Sequence, residues 1–347
     1  MLLQIRNRLE KELKAFARDL DKNYHLKELS PLISRNIKEF ILREGKRIRP
    51  MLFCIGYLGF AQKAPPGLFR CAISLELLHD FMLIHDDIID KSDMRRGKPS
   101  MHIVLQRQLP NKGLKFDGKD LAIVIGDVIY ALALDYFLSI KADAARKELG
   151  LKKLISAALY TGSGEFIELI LGARPIEQVS KKDIYKIYTL KTANYTFCTP
   201  LTMGAVLAGA NQIQLKNLFE YGRHLGIAFQ IKDDLIGIFG KSSDTGKSNL
   251  TDIKEAKKTL LIWHAYRNSS IQDQKTIKNI LARNQVEEKE LQKIQEIILK
   301  TKSVDFANRE INRLTKKADE LLKNSGINIK YQKALKELTA KILATSL

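Results

Sequence analysis

The chain has 347 residues, 45% of them hydrophobic and 7% aromatic, with 8 prolines. This apolar content can build a sizeable core, and the few aromatics and prolines suit helices better than a sandwich or barrel. Lys and Arg number 58 against 39 Asp and Glu, a net charge of +19 that attracts anions: nucleic acid, acidic lipid or phosphorylated substrates. The lysines are scattered and concentrate in the last third, so the surplus as a whole reads as solvated surface. No recognisable nucleic-acid motif accompanies it, and no nucleic-acid partner is expected. Cys54, Cys71 and Cys198 are isolated and odd in number, which argues against a disulfide framework or a CxxC metal pair. No apolar run reaches the length of a membrane span. The opening MLLQIRNRLEKELKAF is charged throughout and has no signal-peptide core, so a cytoplasmic protein without a transmembrane segment is expected.

In chain order, the first distinctive segment is GKRIRP at 45–50, which sets Lys46, Arg47 and Arg49 beside a Gly and a Pro. It lacks Walker spacing and no strand precedes it; taken alone it is a basic loop. Apolar residues then recur at three- and four-residue spacing over 66–91, 119–147, 150–171, 181–209 and 212–239, which predicts helices. Breaks are expected at Lys91–Ser100, Leu109–Gly118 and Gly240–Asp252. From Asn268 onward the chain is Lys/Glu-rich and amphipathic, a layer of outer helices at 268–347. No composition shift marks a second domain. The expected fold is all-α: one domain over 1–347, a single large helical bundle with its cavity between central helices.

Two of these helices carry paired acids. In ELLHDFMLIHDDIIDKSDMRRGKPSMH, residues 76–102, Asp86 and Asp90 are four apart. On a helix they lie about 40° apart around the axis, whereas Asp87 is about 100° further round than Asp86. Carboxylates on an otherwise apolar helix are costly to bury without a cation, and hard oxygen donors without a His/Cys cluster suit Mg²⁺ shared with substrate phosphates. DDIID by itself could equally be a solvated helix end. In FQIKDDLIGIFG, residues 229–240, the pair is Asp233 and Asp234. Gln230 lies within about 60° of both, so it should line the same cavity. Arg95 and Arg96 follow the first motif, and arginine recognises phosphate bidentately.

Together GKRIRP, ELLH, DDIID with RRG, GDVIYALALDYF, LKT, FQIKDD and TGK with EAKKT resemble the trans-isoprenyl diphosphate synthases, or polyprenyl synthetases, from Gly45 to Thr259. Each block is weak alone; their order and spacing are specific. The resemblance implies the isoprenoid synthase type of bundle and, in the family, a homodimer. It implies head-to-tail condensation of isopentenyl diphosphate with an allylic diphosphate through a carbocation, with three Mg²⁺ ions assisting diphosphate departure. Carried over, Asp86, Asp90 and Asp233 would ligate metal, with Asp87 and Asp234 supporting. Arg95, Lys191, Lys247 and Lys257 would hold the allylic diphosphate, and Lys46, Arg49, His79 and Arg96 the isopentenyl diphosphate. Lys191, Thr192 and Gln230 would face the carbocation. The released diphosphate would take the proton. His85 and His102 read as packing or loop hydrogen bonding, and Met51 and Met94 as packing. The sequence departs from the family at Gly237, where many members carry a third Asp, and at Ala256, where a Gly usually precedes the late lysine; Lys258 could share the role of Lys257.

A terpene cyclase or head-to-head condensing enzyme shares the acidic motif, but GKRIRP with His79 and Arg96 argues against it. A silent partner subunit would typically have lost its Asp motifs. In the resembled family, residues four and five before Asp86, here Met82 and Phe81, form the floor of the product cavity. One aromatic and one methionine resemble the C20 pattern, geranylgeranyl diphosphate, with C15 farnesyl diphosphate the runner-up. The helical wheel places Met82 about 40° from Asp86 and Phe81 about 140° away, so Phe81 should reach the cavity from the side.

Overall fold

The computed structural model describes residues 1–61, 63–110, 113–240, 251–283 and 286–344. Among those residues the regular structure is helical apart from an antiparallel hairpin of two residues per strand, in which Met94 pairs with Pro99 and Arg95 with Lys98. They form two compact units, Met1–Leu154 with Met203–Ala210, and Ile155–Thr202 with Asn211–Leu347.

The first unit contains α1 (Leu2–Tyr24), α2 (Leu26–Leu29), α3 (Pro31–Ile41), α4 (Ile48–Leu58), α5 (Leu68–Ile89), the hairpin, α6 (Met101–Gln106) and α7 (Gly118–Phe137). Local signals set the ends. Ser30 caps α3 ahead of Pro31, and Asp117 and Asp120 form a reciprocal capping box on α7. Helix α5 is buried on all sides along its first half, as expected of a central helix, and packs against α1, α4 and α7. The predicted helix over 119–147 is two helices. The chain leaves α7 at Phe137 and re-enters at α8 (Ala144–Ala173), which continues into the second unit. Met94, read as packing, is 43% exposed, because the hairpin turns it outward. The three cysteines are buried, and the Cys198 thiol donates to the Phe219 carbonyl at 3.3 Å.

The second unit is centred on α11 (Gln212–Phe239), whose start is a capping box of Asn211 and Gln214. Before it come α9 (Lys181–Ile187) and α10 (Thr199–Ala208), the latter ending in the first unit. After it come α12 (Thr251–Lys254), α13 (Leu260–Arg267), α14 (Ile271–Leu281), α15 (Glu288–Lys300), α16 (Ser303–Lys323) and α17 (Ile329–Leu343). The tail helices α13 to α16 are amphipathic and share one core with α11, which includes Ile231, Leu235, Ile238, Leu261, Ile298 and Leu314.

The sequence reading of an unbroken helix over 181–209 misses one feature. Between α9 and α10, Tyr188–Cys198 is a π-helix. Such wide turns are rare and cluster at functional sites. This one is accommodated by glycine on two sides. A Cβ on Gly226 of α11 would lie 2.4 Å from the Ala193 Cα, and one on Gly164 of α8 would lie 2.9 Å from the Lys191 backbone N. Gly162 of α8, by contrast, faces open space.

Backbone strain also falls on the motifs. Arg47 (φ 49°), Arg96 (φ 55°) and Ala256 (φ 52°) are left-handed, where an L-residue pays about 1–2 kcal/mol. Arg96 and Gly97 (φ 72°) form the two-residue hairpin loop, and positive φ at both positions is what a type I′ turn requires. The expectation that glycine belongs at 256 is thus met in conformation by an alanine.

Two stability predictions follow from this geometry, read by thermal or urea unfolding. Gly226→Ala should destabilise by about 1–3 kcal/mol through overpacking, while Gly162→Ala should stabilise by about 0.5–1 kcal/mol. Ala256→Gly should be neutral to stabilising, by up to about 1 kcal/mol, because relief of the left-handed strain outweighs the extra entropy of the unfolded chain.

Candidate active site

The helical geometry of α5 runs on through its last acid. The Asp90 N–H donates to the Asp86 carbonyl at 2.8 Å, and Asp90 itself keeps right-handed helical angles. Asp86 and Asp90 therefore share one face, and both are half-buried. Asp87 faces the other way. It is fully buried and accepts from Arg95 Nε at 2.7 Å, with a second, shorter contact from the same guanidinium. Arg95 also lies 3.6 Å from Asp86. Asp87 therefore anchors an arginine rather than facing the surface.

The second acidic pair repeats this division of labour. On α11, Asp233 is exposed and Asp234 is buried. Asp234 accepts from the Tyr188 hydroxyl and from Gln230 Nε2 at 2.9 Å. The Tyr188 oxygen in turn accepts the Leu260 N–H at 2.8 Å. Burial, together with the neighbouring Asp234 carboxylate, pushes the Tyr188 phenol well above its usual range, so it stays a donor. Thr192 donates to Gln230 Oε1 at 2.6 Å. The chain Thr192–Gln230–Asp234–Tyr188 fixes every proton direction: the Thr192 proton is committed to Gln230, which leaves its oxygen presenting lone pairs elsewhere. The π-helix carries Tyr188 and Thr192, so its register is what brings both toward α11.

Lys191 lies on the same π-helix. Its ammonium sits 2.5 Å from Glu165 and 2.6 Å from Glu168, both on α8. The sequence reading did not single out these two acids. Their signal was the i, i+3 spacing in GEFIEL, indistinguishable from an ordinary solvated helix face without the lysine opposite. Lys257 pairs with Glu255 at 2.5 Å. Lys258, considered as a substitute, instead donates to the Gly172 carbonyl, and burial lowers its pKa. Lys247 lies outside the described residues.

A cationic cluster occupies the first unit. Lys46 is exposed, while Arg49 and His79 are half-buried. Arg47 turns inward and is buried, donating to Glu76 at 2.6 Å, Glu10 at 3.0 Å and the Arg43 carbonyl at 2.7 Å. Arg96 lies 3.2 Å from Asp80 and 3.6 Å from Glu76. Burial and the charges of Arg49, Arg96, Arg95 and Arg47 hold His79 well below the usual imidazole pKa, so it is neutral. A neutral histidine amid guanidiniums can donate to an anion without needing a counter-charge of its own.

The two chain-length candidates are half-buried. The Phe81 ring lies 5.0 Å from that of Tyr130 on α7 and meets His85 edge-on at 4.7 Å. Tyr130 was not foreseen, because nothing in a single sequence pairs positions on α5 and α7. His85 also contacts the Ile123 carbonyl at 3.1 Å, and His102 is buried, in keeping with packing roles.

The family model of polyprenyl synthetase matches residues 30–298. A short chain isoprenyl diphosphate synthase of Methanocaldococcus jannaschii is 29% identical over 303 residues, covering 87% of this chain and 84% of that protein. A geranylgeranyl diphosphate synthase of Saccharolobus solfataricus is 30% identical over 310 residues, covering 85% of this chain and 84% of that one. Among solved structures, geranylgeranyl pyrophosphate synthase of Corynebacterium glutamicum, complexed with isoprenyl diphosphate and magnesium, superposes with a TM-score of 0.86 at 26% identity, over 99% of this chain and 98% of that one. The chain belongs to the polyprenyl synthetase family: it has the all-helical isoprenoid synthase fold and is a short-chain trans-prenyltransferase.

Proposed function

We propose that this prenyltransferase joins isopentenyl diphosphate head-to-tail to an allylic diphosphate and stops at C20, geranylgeranyl diphosphate, working as one domain over 1–347. The observation that carries the reading is the split within each acidic pair, one carboxylate turned outward and one buried as an anchor. Asp86, Asp90 and Asp233 would hold Mg²⁺, three ions with substrate bound; their donors are hard oxygens, the set that this cation takes. Magnesium, when bound, supplies Lewis-acid assistance to diphosphate departure.

The residues of the chain do the rest. Arg95, held by Asp87, with Lys191, Lys247 and Lys257, would bind the allylic diphosphate. Lys46, Arg49, His79 and Arg96 would bind isopentenyl diphosphate. The allylic C–O bond breaks with its electron pair leaving on diphosphate, the isopentenyl double bond supplies the pair for the new C–C bond, and a proton passes to the released diphosphate. The fixed oxygens of Thr192 and Gln230 would face the allylic cation, stabilising charge without reorganising. Phe81, braced by Tyr130, and Met82 would floor the product cavity. A homodimer is proposed from the family and from the outward apolar residues of α8, including Leu159, Phe166 and Leu169, which are more than half exposed. Among the described residues α8 is the one helix long and apolar enough to cross a membrane, yet it carries the Glu165 and Glu168 pairing to Lys191. We therefore read it as the interface helix of a cytoplasmic homodimer.

Asp86→Ala, Asp90→Ala and Asp233→Ala should each lower turnover by about 100-fold or more, with the fold intact. Asp87→Ala should lower turnover less than Asp86→Ala but melt earlier, because it strands the Arg95 guanidinium; equal turnover loss for both would contradict the split. Arg49→Ala and Arg96→Ala should raise KM for isopentenyl diphosphate by about 10- to 150-fold, the worth of one charge-assisted contact, and leave KM for the primer nearly unchanged.

Product length is decided by chromatography of the dephosphorylated products. The wild type should give mainly C20, Phe81→Ala longer products, and Met82→Phe shorter ones toward C15. A wild-type profile dominated by C15, or by C30 and longer, would overturn the assignment.

A further inference from the structure

Asp80 does not belong to any role described so far. It is fully buried on α5, one turn after Glu76. Its ion pair with Arg96 spans 3.2 Å, yet neither of its oxygens accepts a well-aligned hydrogen bond from the described residues. Burial pushes its carboxyl up to about 7, against the opposing pull of Arg96, with Glu76 adding to the rise and Arg47 to the fall. A neutral side chain of similar size would sit there at lower cost. A carboxylate kept under those terms is there for direction rather than for stability.

What it directs is Arg96. Glu76 lies 3.6 Å from Arg96 but is already engaged by Arg47 at 2.6 Å, so it cannot fix Arg96 alone. Arg96 reaches inward from a strained left-handed position in the hairpin loop. A Cβ on Gly45 would lie 3.6 Å from the Arg96 guanidinium carbon and 3.1 Å from Arg47, so the GKRIRP segment closes the same cluster. We propose that Asp80 is a positioning residue: with Glu76 it holds the Arg96 guanidinium where that arginine receives the diphosphate of isopentenyl diphosphate. This rests on the reading of Arg96 as a ligand of that substrate.

The test is equilibrium binding of isopentenyl diphosphate alone, with Mg²⁺ and no primer, by titration calorimetry at pH 8. Asp80→Asn should raise Kd by about 10-fold and leave KM for the allylic primer unchanged in turnover assays. In the double variant Asp80→Asn, Arg96→Ala, binding should be no weaker than in Arg96→Ala alone, because Asp80 acts through the arginine. An unchanged Kd in Asp80→Asn, or an additive loss in the double variant, overturns the inference while leaving the role of Arg96 intact. An unchanged Kd in Arg96→Ala removes the reading on which it rests. Asp80→Thr is measured alongside; if neither variant folds, Asp80 supports the fold itself and the positioning role is refuted.

Discussion

An ionised carboxylate cannot be buried without a partner that repays its lost hydration, and the placement of the reactive groups here follows from how that demand is met. Asp87 meets it with Arg95, and Asp234 with Tyr188 and Gln230. Each anchored acid fixes the rotation of its helix about its own axis. Fixing α5 through Asp87 turns Asp86 and Asp90 outward together; fixing α11 through Asp234 turns Asp233 outward. A motif that reads as two adjacent acids is thus one buried anchor and one carboxylate on another face of the same helix.

The same logic orders the arginines. Four of them crowd around a histidine held neutral, and acids match three of them from behind: buried Glu76 and half-buried Glu10 behind Arg47, buried Asp87 behind Arg95, and buried Asp80 behind Arg96. The positive field is therefore balanced on the protein side, which aims the guanidiniums without abolishing their attraction for a polyanion. The surplus of lysine over the rest of the chain contributes nothing comparable, because an exposed cation is screened and conformationally loose.

Much of this was legible in the sequence. The helix 212–239 emerged with its bounds, and the face shared by Asp86 and Asp90 followed from residue spacing alone, since both depend on local periodicity. What escaped notice depends on pairings distant in sequence or on uncommon backbone. The inward turn of Arg47 needs Glu76 and Glu10 to explain it, Glu165 and Glu168 acquire meaning only opposite Lys191, and Tyr130 only beside Phe81. The π-helix leaves no trace in an apolar pattern, because its neighbours on either side keep ordinary helical spacing. Ala256 shows a position whose backbone shape persists though its sequence signature does not.

The π-helix also bears on how this segment can change length. Each hydrogen bond of an i to i+5 ladder spans one more residue than in the α-helical flanks, so Tyr188–Cys198 behaves as an insertion already absorbed into a helix. Removing one residue from most helices rotates everything downstream by about 100° and scrambles the buried face. Removing one here could instead be taken up by tightening the wide turn, leaving α9 and α10 in phase with their surroundings. The damage would then be confined to the segment that holds Lys191 and Thr192, so that folding and the chemistry proposed for these residues part company at this one stretch of backbone.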